Sequence, residues 1–496
     1  SRRVEGVEEM AMANERTDGR ERARARKVLP DTIEDAFASP EEISETKQRL
    51  AEAGVKYVLS CWIDLLGQLK TKPVPLSELD ALCNGKGPQF AVHSVSMVPE
   101  LGPADPDQIP VADLSSLIVC PWDKTIAWVF ADLFFQGKPY SVCPRLALKR
   151  QVQLALDKGL RPMAGIEPEF IVMRFDANGR PVKAFDTDPR QPSALRARRQ
   201  PWGYDSEAVL DSMSFLGEIM DILDGLGWGI KDVVTEGAYS QFELDFGYSD
   251  VLGMADRFTF LRVLLKEIAK RHGLFVTFMP KPTAGDWRSG AHINFSLQDE
   301  TTGENLFEEN GQWSETAFHA LGGLLAHGDA IVSVTCSTVN SYKGLIGRVP
   351  GLEGGVYTWA PTHLTFGANN RSATFRLPQN RFCIENRASD MCMNAYLGLA
   401  MTTAAAMAGV TAKMDPGSPL DHDLYTISPE ELARRGIRRL PRHLLEAVEI
   451  FNKSPLALDV FGEVMHNSYS RYKCDEWGRF HVSITDWEQA EYMRFF

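Results

Sequence analysis

The sequence contains no CxxC pair and no zinc-finger spacing; its eight cysteines, at 61, 83, 120, 143, 336, 383, 392 and 474, are scattered. In a chain of 496 residues that scatter reads as reduced thiols of a cytosolic protein and excludes a disulfide framework. A surplus of positive charge is also missing. The formal net charge of -13 argues against a nucleic-acid surface as the main business of the protein. There is no GxxxxGK[ST] phosphate loop, and the DFG at 245–247 stands without the other kinase motifs. Residues 1–30 lack an apolar core, so no secretory signal is expected. The most membrane-like run, Tyr396 to Val410, is short and interrupted by Thr402 and Thr403, which reads as a buried helix and no membrane span. No internal repeat is present at repeat-protein periods.

What remains is an ordinary globular composition, 44% hydrophobic and 24% charged, in a chain long enough for two or three domains. Residues 1–33, with SRRVEG and RERARARK, predict a disordered basic arm. A helix is expected from Pro40, and residues 55–140 then read as a small β-rich domain; WIDLLGQLKTKPVP carries a hairpin turn at Asp64–Gly67. From Pro144 strands alternate with helices to about residue 410, and the rest is mainly helical. One helix is expected after Asp205, with Val209, Met213, Leu216, Met220 and Leu223 as its stripe and Gly225 as its end. Another carries Leu261, Leu264, Leu265 and Ile268 on one face, and residues 175–204 look like a long loop.

The chemistry begins at GIEPEF, residues 165–170. Glu167 and Glu169 lie two apart on a strand and therefore on one face. Two adjacent carboxylates among apolar neighbours need a cation, and a divalent metal would serve. Two solvent-facing glutamates on an edge strand are the plain alternative. Further acids and bases converge, however. Glu236 and Glu243 in EGAYSQFELDF would point to opposite faces of an unbroken strand, so a turn or bulge at Gly237–Ser240 is required to bring them together. His292, Asn294 and Ser296 alternate with Ile293 and Phe295 and share a face. Arg371 and Arg376 in NNRSATFRLP, and Arg381, Glu385 and Arg387 in RFCIENRASD, are arginines among apolar residues, where a guanidinium needs an anion. Glutamates, one histidine and arginines suit Mg²⁺ or Mn²⁺ beside a nucleotide phosphate.

The order ExE, E…QxE, FMPKP…SGxHxxxSL, NSYK, NRSAxxRxP, ExRxxD…NxY resembles the glutamine synthetase family from about residue 55 to the C-terminus. The resemblance implies an α+β fold, with a β-grasp N-terminal domain over 34–143 and a catalytic domain over 144–496 on a curved antiparallel sheet flanked by helices. It implies ATP and Mg²⁺ or Mn²⁺ as cofactors, and a cytoplasmic homo-oligomeric ring, a dodecamer, with active sites between subunits. Neither nucleic acid nor membrane is a partner. Residue by residue, Glu169, Glu236 and Glu243 match the ligands of one metal ion, and Glu167, His292 and Glu385 those of the other. Arg371 matches a contact to the reacting γ-phosphate, Arg376 a nucleotide-phosphate contact, Ser296 a residue beside ATP, and Arg387 a contact to glutamate. Asp64 matches the aspartate a neighbouring subunit supplies to deprotonate the incoming amine, and Glu353 in VPGLEGG the glutamate that closes the site against water.

Several positions depart from the ammonia-using pattern. The family's NGSG is here Trp287-Arg288-Ser289-Gly290, with Gly290 retained on the loop that approaches glutamate. Gly344 follows NSYK where the family has an arginine, and Arg348 stands in for it. Cys383 replaces an arginine near the nucleotide. The N-terminal WIDLLGQLKTKPVP and FADLFFQGKPYSVCPR look more like γ-glutamyl-amide synthetases, which join glutamate to an organic primary amine. The expected partners are therefore L-glutamate, ATP and a primary amine. Aniline is the first choice of amine, on the bulky set Trp62, Trp287, Tyr357 and Trp359, although each aromatic alone reads better as core. An ordinary glutamine synthetase and a non-enzymatic relative are the alternatives. Tyr425 matches a tyrosine that some bacterial relatives modify with AMP, at a position where tyrosine is common without modification.

Overall fold

The computed structural model describes residues 27–91, 101–185, 203–283, 286–347 and 357–495. Helix α1 (Pro40–Glu52) starts where proline at the first position and the Ser39 cap predict, with the Ser39 hydroxyl accepting from Glu42 N. Strands β1 (Tyr57–Ile63) and β2 (Leu69–Pro75) form the expected antiparallel hairpin. Strand β5 (Ile126–Phe135) lies parallel to β1 on its other side and also takes β3 (Ile109–Ala112), β4 (Ile118–Val119) and β6 (Lys138–Pro139), completing a six-stranded sheet. Residues 1–26 of the expected basic arm lie outside the described residues. Its described end, from Val28, is tied down: Val28 N donates to Gln153 Oε1, and Ile33 packs with Val111 and Phe134.

Helix α2 (Pro144–Leu156) leads into β7 (Leu160–Phe175), a sixteen-residue strand at the centre of a ten-stranded sheet. The remaining members are β8 (Pro181–Lys183), β9 (Asp232–Thr235), β10 (Gln241–Asp245), β11 (Ser249–Asp250), β12 (Phe275–Thr277), β13 (Ala291–Asp299), β14 (Phe366–Ala368), β15 (Phe375–Leu377) and β16 (Ile384–Asn386). Every pair is antiparallel except β14–β15. The expected loop over 175–204 contains β8, paired to β7, because Pro181, Val182 and Lys183 continue the sheet after the turn at Gly179; most of the rest lies outside the described residues.

Helix α3 (Ser206–Gly225) is capped by Asp205 as expected, but it is rotated from the predicted stripe. Ala208, Ser212, Phe215, Leu216, Ile219 and Leu223 are buried, whereas Met213 is 41% exposed. Phe215 and Ile219 offer more rigid apolar area than the methionines, and their burial sets the face. Gly225 is the last helical residue, and the left-handed turn falls at Gly227. Helix α4 (Val251–Arg271) buries the predicted leucine face. Helix α5 (Ala395–Ala412) is apolar all round and is the one unbroken helix among the described residues long and apolar enough to cross a membrane; 78% of it is buried within the protein. That is the position of a core helix.

A buried ionic network ties the small sheet to helices α2 and α4, which pack on β7. Arg145 on α2, 2% exposed, forms a fork on Asp256 (3.1 and 3.0 Å) and reaches Asp113 (2.9 Å) and Asp132 (2.8 Å). Lys149, one turn later, bonds the same Asp113 and Asp132, and the Tyr396 hydroxyl donates to Asp256. Burial opposes ionisation of Asp113, yet Lys149 and Arg145 hold it well below the usual carboxylate range.

Candidate active site

The site is built on β7. Its register with β13 sets Glu167 opposite His292, and its register with β10 sets Glu169 opposite Glu243. Since Glu167 and Glu169 share a face, the two neighbours converge on one patch. Strand β16 pairs with β13 so that Glu385 opposes Asn294, and β15 then places Arg376 opposite Glu385. His292 is the hub. Its Nδ1 lies 3.3 Å from Glu167, 3.9 Å from Glu385 and 4.0 Å from Glu243, and its Nε2 3.7 Å from Glu169. The predicted turn between Glu236 and Glu243 is present: β9 and β10 form a hairpin, with Ser240 at φ +59°.

Two sets of ligand atoms lie within 4.8 Å of one another: Glu167, His292 and Glu385, and Glu169, Glu243 and His292. His292 thus belongs to both. Glu236, expected to complete the second set, is in neither, although its charge reaches Glu169. Gly290 is required by close approach, because a Cβ there would lie 2.8 Å from His292 Nε2 and 3.0 Å from Glu169 Oε1.

Charge is divided unevenly across the patch. Burial opposes ionisation of Glu385, but Arg387, His292 and Arg376 hold it at about 2; Arg376 and Arg387 bond its two oxygens at 2.6 and 2.5 Å. Arg381 bonds Glu167 at 2.8 Å. On the other side burial, and then the charge of Glu236, push Glu169 up to about 8. Burial together with Glu167 and Glu169 raises Glu243, and burial with Glu167 raises Asp245 to about 7. Burial, and then the charge of Arg387, lower His292, which favours the neutral imidazole that binds a metal. A carboxylate-rich set with one neutral imidazole, under-compensated on the Glu169 side, fits a hard divalent cation.

A pH dependence follows. Glu169 is raised in the fold, so the metal-free protein holds a proton there that the unfolded chain releases above about pH 4.5. The associated stability is present at low pH and is lost as pH rises through about 8. A metal must displace that proton, so Mn²⁺ affinity should rise by about tenfold per unit between pH 6.5 and 8 for one proton displaced. Titration calorimetry at several pH values reads this, and a flat affinity would contradict it.

The other predicted residues are distributed as follows. Arg387 Nε donates to the Arg371 carbonyl, while the Arg371 side chain is exposed. Ser296 is buried on β13, opposite Met163. Asp64 is not brought to the patch within this chain: it accepts from Leu66 N and Gln68 N in its own hairpin turn and lies 3.4 Å from Lys70. Arg348 and Glu353 lie outside the described residues. Of the four aromatics, Trp62 is stacked on Phe90, ring centroids 4.1 Å apart. Trp287 Nε1 donates to the Tyr357 carbonyl. Trp359 is 56% exposed at φ +58°, and its carbonyl accepts from Arg387. Tyr425 stacks on Tyr357 and its hydroxyl donates to the Ala360 carbonyl at 2.6 Å, so the oxygen a modification would use is engaged in packing.

Two residues of the site received no role from sequence. Gln241 donates to Glu169 at 2.9 Å. Asn294 donates to Glu167 at 3.0 Å and accepts from Arg381. The Q of the E…QxE pattern and the polar alternation of β13 were their only signals.

The family profile described as glutamine synthetase, catalytic domain, matches residues 141–492. Glutamate–methylamine ligase of Methyloversatilis universalis is 34% identical over 461 residues, covering 91% of this chain and 99% of the relative. Glutamine synthetase of Rhizobium meliloti is also 34% identical, over 441 residues, covering 88% and 96%. A solved GmaS/ADP complex superimposes with a TM-score of 0.80 at 32% identity, covering 90% of this chain and 99% of that one, and an apo GmaS structure with 0.78 at 31%.

Proposed function

This chain belongs to the glutamine synthetase family, and from that premise we propose that it joins the γ-carboxylate of L-glutamate to an organic primary amine with ATP, through a γ-glutamyl phosphate. It is an ATP-dependent ligase of the γ-glutamyl-amide synthetase type, with a glutamine synthetase-like fold. The observation that carries the reading is the Glu–His patch on β7, flanked by arginines on one side and short of cations on the other.

In this reading Glu167, His292 and Glu385 hold one divalent ion, and Glu169 and Glu243, with Glu236 near them, hold the other. Bound Mg²⁺ or Mn²⁺ supplies charge neutralisation for the transferring phosphoryl group. Arg376 and Arg371 face the nucleotide phosphates, Ser296 lies beside ATP, and Arg387, Gly290 and Arg348 face glutamate. A γ-carboxylate is a poor acceptor until phosphorylated, and the acyl phosphate must then be shielded from water, the task given to Glu353. The amine must lose a proton before attack, the task given to Asp64. Asp64 is occupied in its own hairpin within one chain, which supports a ring in which a neighbour's Asp64 completes the site; sedimentation of the intact protein reads the ring size, and a monomer would sink this part. A cytoplasmic location accords with ATP and glutamate as substrates.

Trp287, bonded to the Tyr357 carbonyl, is the aromatic that favours aniline as the amine, and the methylamine ligase relative favours methylamine. Phosphate release measured with ATP, Mg²⁺ and glutamate across ammonia, methylamine, isopropylamine, ethanolamine, a polyamine and aniline decides. One organic amine should exceed ammonia in kcat/KM by about tenfold or more. Preference for ammonia would make the protein an ordinary glutamine synthetase, a reading that the equal identity to the Rhizobium enzyme keeps in play. Silence with every amine would overturn both.

A further inference from the structure

Position 344 is a buried glycine, and Arg288 explains why. A Cβ on Gly344 would lie 2.6 Å from both Cβ and Cδ of Arg288 and 2.7 Å from Cγ. The obstacle is the stem of the side chain, not a flexible tip. That stem is fixed at both ends. At the far end Nη2 donates to the Ser389 carbonyl (2.9 Å) and lies 3.3 Å from Asp390 Oδ2 and 3.4 Å from Cys336 Sγ. At the near end the Arg288 carbonyl accepts from Gln241 Nε2 at 3.1 Å. Gln241 is 1% exposed, and the same Nε2 reaches Glu169 Oε2 at 2.9 Å and Ser289 Oγ at 3.2 Å, while its Oε1 accepts from Ala238 N. A continuous set of contacts therefore runs from the backbone at 344, through Arg288 and Gln241, to a carboxylate of the patch. Trp287 is seated in the same way: a Cβ on Gly237 would come within 2.8 Å of its ring, on the turn that follows Glu236. Arg288 Nε is buried without a partner among the described residues.

We propose that Gly344 and Arg288 form an interlock that positions the Glu169 carboxylate for a divalent cation. Arg288 is a positioning residue, acting through Gln241. The inference rests on the proposed reading of Glu169 and Glu243 as ligands of one cation. It accounts for two unusual positions together: the Arg288 stem fills the space a side chain at 344 would need, so position 344 must be glycine while Arg288 is present.

The test is Mn²⁺ binding, followed by electron paramagnetic resonance on the full-length protein without ATP, glutamate or amine. Gly344→Ala should weaken one Mn²⁺ site by about tenfold or more, the size typical of a lost outer-shell partner, and leave the other within about twofold. Gln241→Met should weaken the same site. In an Arg288→Ala background Gly344→Ala should add nothing, because the space it needs is then free. Wild-type binding at both sites in Gly344→Ala, or an equal further loss when it is added to Arg288→Ala, would overturn the interlock. Should Gly344→Ala fail to fold alone, the double variant carries the test: folding and binding like Arg288→Ala supports the interlock, and failure to fold refutes it. A wild-type protein that takes up no Mn²⁺ would instead sink the cation-site reading itself.

Discussion

Replacing Glu385 by glutamine should lower ATP-dependent phosphate release by about one-hundred- to one-thousand-fold, the several kcal/mol of charge stabilisation a metal ligand helps to deliver. The same change should also destabilise the fold. Glu385 is fully buried, with Arg376 and Arg387 each bonded to one of its oxygens. Removing its charge strands two guanidinium groups in the interior, and breaking a buried pair in this way costs about 3–5 kcal/mol. The two effects separate by measurement: the unfolding midpoint reads the second, and Mn²⁺ affinity reads the first. Glu385 has its own pH signature. Its value in the fold, about 2, lies below the ordinary 4.5, so its contribution is present above about pH 4.5 and is lost as pH falls towards 2. The wild type should lose this part of its stability on acidification and Glu385→Gln should not. Activity within threefold of wild type would remove Glu385 from the metal site.

Arg145→Met should be the most destabilising single change outside the site. Its guanidinium lies between half-buried Asp113 and buried Asp132 and Asp256, and Lys149 alone cannot neutralise three carboxylates. A loss of about 3–5 kcal/mol is expected in denaturant unfolding. The asymmetry of buried ion pairs supplies the control: adding Asp113→Asn and Asp256→Asn to Arg145→Met should recover a large part of the loss, because Lys149 and Asp132 then remain as one matched pair. An Arg145→Met protein as stable as wild type would mean that the network contributes nothing to joining the small sheet to α2 and α4.

Much of this was legible locally. The hairpin at Asp64–Gly67 and the helix from Pro40 follow from turn and cap chemistry over a few residues. The common face of Glu167 and Glu169 follows from the two-residue period of a strand, and the need for a turn between Glu236 and Glu243 from the same period. The misreadings have a common form. The stripe of α3 was ambiguous because two helical faces carried apolar side chains, and only the partner surface chose between them. The anchoring of Val28 and Ile33 was hidden because they are held by residues more than a hundred positions away or in another strand.

By itself, then, the sequence determined the chemical inventory of this protein: carboxylates in pairs, one histidine among polar strand residues, arginines among apolar ones, in an order that a single family shares. Periodicity and motif order are properties of the chain alone, so they survive without a fold. The tertiary structure decided how that inventory is divided. Strand register made His292 common to both ligand sets and left Glu236 outside them; arginines from β15 and β16 hold Glu385 ionised, while burial leaves Glu169 with a proton. It also decided that Arg288 and Gly344, fifty-six residues apart, share one volume. Coulomb energy and steric exclusion depend on distance in space, and no local pattern in the chain encodes that distance.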